Sequence, residues 1–271
     1  MIGTVLRAAL WLLVVLPAAA RPPNAAAAEG GTLSVEGTAF VLRLPDGRTL
    51  RGADLTGARF VWREEGRDSV IRIDLVEREE SASGPVLIHR LSVLDPDTGS
   101  AQPLCRPDAQ GRRAGFPVQG ADGGFSLTCT SGAEGKCILM GYHPWQSRSD
   151  GVPMRDLHRA CIHLIRADYG GDDRPTTRDG TIIDIYDRFG IQSPIDTSMP
   201  FEAAWGVEGA VCVARPRIAD AVSLDELAGR YPKLRDALGP ERCNEEAAKA
   251  MPGALLFNRS HGADRATPPS D

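Results

Sequence analysis

The sequence predicts an α+β fold in which a β-rich, antiparallel N-terminal unit packs with a disulfide-stapled domain carrying a central helix. Three observations predict it. Between residues 32 and 94, short runs of alternating apolar and polar residues, rich in β-branched and aromatic side chains, are broken by turn residues. From Asp156 to Tyr169 the apolar spacing changes to that of a helix. All six cysteines, Cys105, Cys129, Cys137, Cys161, Cys212 and Cys243, lie beyond the β-rich stretch.

Taken in order, the chain begins with Arg7, the apolar run Ala8 to Leu16, and the break Pro17-Ala18-Ala19-Ala20. This is the three-part layout of an export signal, so residues 1–28 read as a removable signal peptide, with cleavage after Ala20 or after Ala28. A spanning helix needs about 20 apolar residues, and this run stops at Pro17. No second such stretch follows, so no membrane span is expected after cleavage, and the compartment expected is the periplasm or the medium.

The β-rich unit, residues 29–104, places strands at Thr38–Leu44, Thr49–Arg51, Arg59–Trp62, Val70–Val76 and Val86–Leu94. Asp46-Gly47 between the first two is a hairpin signal. Gly52 to Ala58 resembles one pentapeptide repeat, but a solenoid needs at least about three copies, so it reads as a turn. The second domain, residues 105–259, opens from a loop-rich connector over Asp95–Gly124. A hairpin is then expected, Gly124–Cys129 against Lys136–Tyr142, followed by the central helix over Asp156–Tyr169 and a strand over Gly180–Asp187. Ser223, with Glu226 three residues on, has capping-box spacing for a helix over Leu224–Arg230, and a second short helix is expected within Pro240–Met251. Residues 260–271 lack an apolar pattern and read as a disordered tail.

Charge and cysteines narrow the function classes. The formal net charge of −5, from 36 acidic and 31 basic residues, is scattered, and no basic stripe interleaved with aromatics exists, which argues against nucleic-acid binding. An even cysteine number in an exported chain reads as disulfides, with fifteen pairings available. The proposed hairpin puts Cys129 opposite Cys137, Cys212 with Cys243 follows as a second pair, and Cys105 remains for Cys161. Zinc spacing of the C-x2-C kind is absent, as are the Walker loop, the dinucleotide glycine fingerprint and the Gly-x-Ser-x-Gly elbow. No cofactor is expected, and no partner is specified.

The segment Arg166-Ala167-Asp168-Tyr169-Gly170-Gly171-Asp172, continued by Thr177–Asp187, resembles the ADYC-domain family of exported bacterial proteins. So do Phe125–Gly132 with Lys136-Cys137, Gly141–Trp145, Ala203–Gly206 with Gly209–Val213, and Ala254–Ser260. The resemblance implies export and this architecture; it implies no reaction. Family members carry cysteine where this chain has Gly170, so no catalytic thiol exists there, and a lost disulfide partner agrees with the remaining even number.

Candidate chemistry concentrates in Asp168, Asp172, Asp173, Asp179, Asp184 and Asp187. These six carboxylates within twenty residues can hold a hard cation, with Asp172, Asp173 and Asp184 as the metal candidates, or do acid/base work. EF-hand spacing is absent. The competing reading puts Asp172, Asp173 and Asp187 in solvated turns and pairs Asp168 and Asp184 with Arg166, Arg174 or Arg178. His158 and His163 lie about 140° apart on the helix and cannot share an ion. Tyr142, Trp145, Tyr186 and Trp205 read either as core or as a ligand platform. The functional expectation is an exported, disulfide-containing interaction or envelope-associated module; the alternative is a secreted hydrolase or calcium-binding protein using the loop Asp168–Asp187.

Overall fold

The computed structural model describes residues 31–64, 66–120 and 124–261. The expected signal peptide lies outside them, as does the expected tail beyond His261. Strands β1 (Thr32–Glu36), β2 (Ala39–Arg43) and β3 (Thr49–Arg51) form an antiparallel sheet in chain order. The β2–β3 turn is the one that Asp46-Gly47 predicts: the Asp46 carboxylate accepts the Arg48 N–H at 3.0 Å, and Gly47 takes the left-handed φ of +86° that favours glycine. A 3₁₀ turn over Gly52–Leu55 then drops Leu55 into the core.

The second sheet comprises β4 (Arg59–Glu64), β5 (Arg67–Glu79), β6 (Val86–Leu94), β7 (Ala101–Pro103), β8 (Gly115–Gln119) and β9 (Phe125–Cys129). Its order is β4-β5-β6-β8-β9, with β7 also pairing with β6. The stretch expected as connector therefore contributes β7 and β8. Glycine at position 115 permits this, since a Cβ there would lie 2.4 Å from the Thr128 carbonyl oxygen. Phe40, Leu55, Ile71, Ile73 and Leu91 fill the space between the two sheets, edged by Phe60, Trp62 and Phe125.

The expected second hairpin strand is instead helix α1 (Ala133–Leu139). Cys137 and Ile138, neighbours in sequence, are both fully buried, which a half-exposed strand would not allow. The helix sits against the end of β9 so closely that a Cβ on Gly135 would lie 2.1 Å from the Cys129 carbonyl oxygen. Ile138 joins Val86, Ile88, Phe116 and Val118 in a core between α1 and the second sheet, which itself runs across the expected boundary at residue 105. The β5–β6 turn completes the seam: the Ser81 hydroxyl lies 2.9 Å from His143 Nε2, and Gln146 donates to the Ser83 carbonyl at 3.2 Å.

The central helix, α2 (Met154–Arg166), buries Leu157, Ala160, Cys161 and Leu164 on the predicted face. It packs on a third antiparallel sheet of β10 (Ile183–Asp187), β11 (Phe201–Gly206), β12 (Gly209–Val213) and, after α3 (Leu224–Arg230) and α4 (Glu245–Ala250), β13 (Leu256–Ser260). The order is β10-β13-β11-β12. The predicted capping box opens α3: the Ser223 hydroxyl accepts the Glu226 N–H while Glu226 accepts the Ser223 N–H at 2.7 Å. Ser260 closes β13 fully buried, so the ordered chain runs past the expected start of the tail.

Three disulfides staple these pieces: Cys105–Cys129, Cys137–Cys161 and Cys212–Cys243, with Cα atoms 5.5, 5.8 and 5.6 Å apart. These lie in the ordinary range. Two of the three pairings correct the sequence expectation. Because residues 133–139 are helical, Cys137 faces α2 and bonds to Cys161, while Cys129, at the end of β9, meets Cys105. Cys212 of β12 bonds to Cys243.

Candidate functional site

The Ala-Asp-Tyr-Gly segment begins where α2 ends. Ala167 terminates the helix in the left-handed region, φ 48°, and this turns Asp168 back beneath the following loop. Its carboxylate, 1% exposed, accepts the N–H groups of Gly171, Asp172 and Asp173 at 3.0, 3.2 and 3.0 Å. His163 Nδ1 stands 3.2 Å from the same carboxylate, and its Nε2 3.1 Å from the Val207 carbonyl oxygen. Asp168 therefore organises its own loop, and each of its oxygens is occupied by the fold.

Tyr169 points the other way. Its ring stacks on Trp205 with centroids 5.3 Å apart, and its hydroxyl donates to Glu202 at 3.2 Å and accepts the Arg217 backbone N–H at 2.7 Å. Burial, reinforced by the Glu202 charge, holds this phenol's pKa well above its ordinary value. Glu202 and Arg217 form an ion pair with both side chains wholly buried. Arg217 donates through Nε and one Nη to Glu202 at 3.0 Å each, to the Leu164 carbonyl at 2.7 Å, to the Ile165 carbonyl at 3.0 Å and to the Thr177 hydroxyl at 3.2 Å. All five guanidinium N–H groups are thereby used. Two of them close the exposed carbonyls at the C-terminus of α2, where a cation is favoured. Glu202 also accepts Asn258 at 2.8 Å and Ser260 at 2.5 Å, and Trp205 donates to Asn258 at 2.8 Å. A buried pair is tolerated when hydrogen bonds satisfy its remaining groups, as they do here.

The other aspartates do not converge. Asp172 accepts the Tyr231 hydroxyl at 3.0 Å and lies 3.4 Å from Arg174, whereas Asp173 lies 3.5 Å from Arg166. Asp184 is buried against Arg259 at 3.2 Å and accepts the Ile195 N–H at 2.9 Å. Asp187 accepts the N–H groups of Phe189, Ile191 and Gln192 and the Tyr142 hydroxyl at 2.8 Å. Asp168 and Asp184 thus have different partners from the arginines expected: the partner of Asp168 is on its own helix, and that of Asp184 is on the adjacent strand β13. Among the described residues, no group of three or more His, Cys, Asp or Glu side chains is placed to hold a metal ion. Nor do the aromatics make a platform, since Tyr142, Tyr186 and Trp205 are core and only Trp145 is partly exposed, stacked on His143.

The Tyr231 ring occupies the space that a side chain at Gly170 would take. A Cβ there would lie 2.2 Å from the ring of Tyr231, and Lys233 anchors the same turn by donating to the carbonyls of Gly170 and Glu208. Next to it opens a cleft of about 410 Å³ floored by Gly206, Gly209, Gly253 and Leu255, with Asp156 and Lys233 at its rim. It contains no nucleophile paired to a base.

Sequence reasoning did not single out Glu202 or Arg217, although a lone charge inside the apolar run Phe201–Gly206 is a signal for a buried ion pair. The fold and this locked motif define a disulfide-stapled α+β protein in which the motif's polar groups serve the scaffold. A family model for the ADYC domain matches residues 52–219 of the 271, and the chain belongs to that family. No curated protein and no solved structure matches it.

Proposed function

We propose that the chain is an exported binding module of the cell envelope or the medium, and that its Ala-Asp-Tyr motif is a structural lock instead of a catalytic centre. The saturation of that motif carries the reading. Every hydrogen-bonding group of Asp168, Tyr169, Glu202 and Arg217 is engaged inside the protein, leaving no free base, acid or nucleophile to meet a substrate. Export is supported by three disulfides, with no free cysteine among the described residues, because such bonds persist in oxidising compartments. No helix among the described residues is long and apolar enough to cross a membrane.

Fractionation of native cells, alkylation of native protein and intact mass together test this. The expected result is six oxidised cysteines and a mature chain beginning at Arg21 or Glu29, found in periplasm or medium. Alkylatable thiol in the native protein, or a full chain starting at Met1, would overturn the export reading. Turnover of any ester, glycoside or peptide substrate that is abolished by Asp168→Asn would overturn the structural role.

A further inference from the structure

Resting on the reading as a binding module, we propose that the cleft between β6 and the Asp108–Arg113 loop is a binding site for an oxyanion group, a phosphate or a carboxylate borne by the ligand, gripped by Arg90, Arg112 and Arg113. The cleft measures about 430 Å³, and the side chains that define its charge are Asp74, Arg90, Arg112 and Arg113, with Ser92 and Gln110 beside them.

The loop is built to hold Arg112 still. Asp108 accepts the N–H groups of Gln110 and Arg112 at 3.0 and 2.9 Å, the Arg112 Nε at 2.9 Å and the Thr130 hydroxyl at 2.9 Å. These bonds outweigh burial and lower its carboxyl pKa, so it stays ionised as the anchor. The Cys105–Cys129 disulfide fastens the loop's start to β9, and Arg112 is further held by Glu79 at 2.9 Å. A guanidinium preorganised in this way loses little freedom on engaging an oxyanion.

Arg112 shares its charge with Asp108 and Glu79, whereas Arg90 and Arg113 are less engaged. Asp74, the one carboxylate in the cleft, already accepts Arg72 and the Ser92 hydroxyl, each at 2.5 Å. Arg90 reaches Glu77 only at 3.6 Å, and Arg113, exposed, has no ion pair or hydrogen bond among the described residues. Two of the three guanidinium groups that line the cleft, Arg90 and Arg113, thus make no hydrogen bond among the described residues and keep their donors for a ligand.

The test uses the full mature chain titrated by calorimetry at constant ionic strength, with pyrophosphate as the phosphate probe and citrate as the carboxylate probe. Saturable binding of at least one is expected, and which one binds tells phosphate from carboxylate recognition. Arg113→Ala and Arg90→Ala should each raise Kd about tenfold, the loss of one charge-assisted hydrogen bond. Arg43→Ala, which removes an exposed charge on β2, should leave Kd unchanged. Matching melting temperatures for the three variants keep folding out of the comparison. No saturable binding by either anion, or equal losses with Arg43→Ala, overturns the site; neither outcome touches the oxidation and localisation results that test the export reading.

Discussion

The molecule buries polar groups by two opposite means, shown most sharply by His89 of the β-rich unit and by the Glu202–Arg217 pair. In the β-rich unit, His89 lies wholly buried in the apolar core, its ring packed edge-on against Phe40 at 5.0 Å; neither nitrogen makes a hydrogen bond of good geometry, and the nearby Gly115 backbone offsets only part of the burial. In the motif-bearing half, Glu202 and Arg217 are equally buried, yet all their hydrogen-bonding groups are matched. The first solution keeps the group neutral; the second keeps it charged and paired. Each fails under a different perturbation: the neutral group when protons are supplied, the paired group when a partner is removed.

Removing a partner should have the largest effect. Arg217→Met leaves the Glu202 carboxylate buried without its counter-ion and takes the Arg217 donor from the Ile165 carbonyl, so we expect a loss of about 3–5 kcal/mol in denaturant unfolding. Replacing both members, as Glu202→Leu with Arg217→Met, should cost less than Arg217→Met alone, because no buried charge is then stranded. A double variant less stable than the single would mean that the stranded charge is not what Arg217→Met costs.

Supplying protons attacks the other solution. Burial lowers the pKa of His89 and of His158 to about 4, and that of His143 is lowered too. The neighbouring His143 adds to the shift at His158. In the unfolded chain a histidine titrates near 6.5, so below that pH the unfolded state binds more protons. This stability is fully present above about pH 6.5 and is lost as pH falls towards 4, by on the order of 3 kcal/mol for each of His89 and His158. Between pH 6.5 and 5 few carboxylates titrate, so that window isolates the histidines. His89→Leu should flatten the slope there; an unfolding free energy already flat across the window in the wild type would refute the neutral-burial account.

The disulfides sharpen the contrast from the covalent side. Removing Cys137–Cys161, which ties α1 to α2 across 24 residues, should cost about 3 kcal/mol by loop-closure entropy. Peptide mapping without reduction should link Cys105 with Cys129 and Cys137 with Cys161; a Cys129–Cys137 link would restore the hairpin and remove α1.

How much of this was legible follows from range along the chain. The Val86–Leu94 strand and the Leu224–Arg230 helix keep their expected boundaries because period, turns and capping box are local signals. Helix α1 escaped because the run Cys137-Ile138-Leu139-Met140 shows no period, and its helicity is imposed by packing against β9, α2 and the second sheet. Glu202 and Arg217 meet only through the β11–β12 turn and the loop beyond it, so spacing could not pair them. The aspartate cluster was legible as a cluster, but its division among separate arginines, amides and hydroxyls is a matter of three-dimensional direction.

The smallest expected effect lies at the rim of the same motif. Asp172 and Asp173 are exposed, and their cationic partners stand at 3.4 and 3.5 Å, the regime in which surface ion pairs contribute little. Asp172→Ala gives up the Tyr231 hydroxyl contact as well, but that hydroxyl can turn to water. Each substitution should therefore shift unfolding free energy by less than about 0.5 kcal/mol. Asp173 also holds a left-handed φ of 64°, so Asp173→Gly relieves a conformational cost and should match or exceed the alanine variant in stability. Calcium added to the wild type should leave the melting temperature where it was, because these carboxylates diverge. A rise that disappears in Asp172→Ala and Asp173→Ala would show that the loop rearranges to bind the ion, and would move it from the scaffold to the function of the protein.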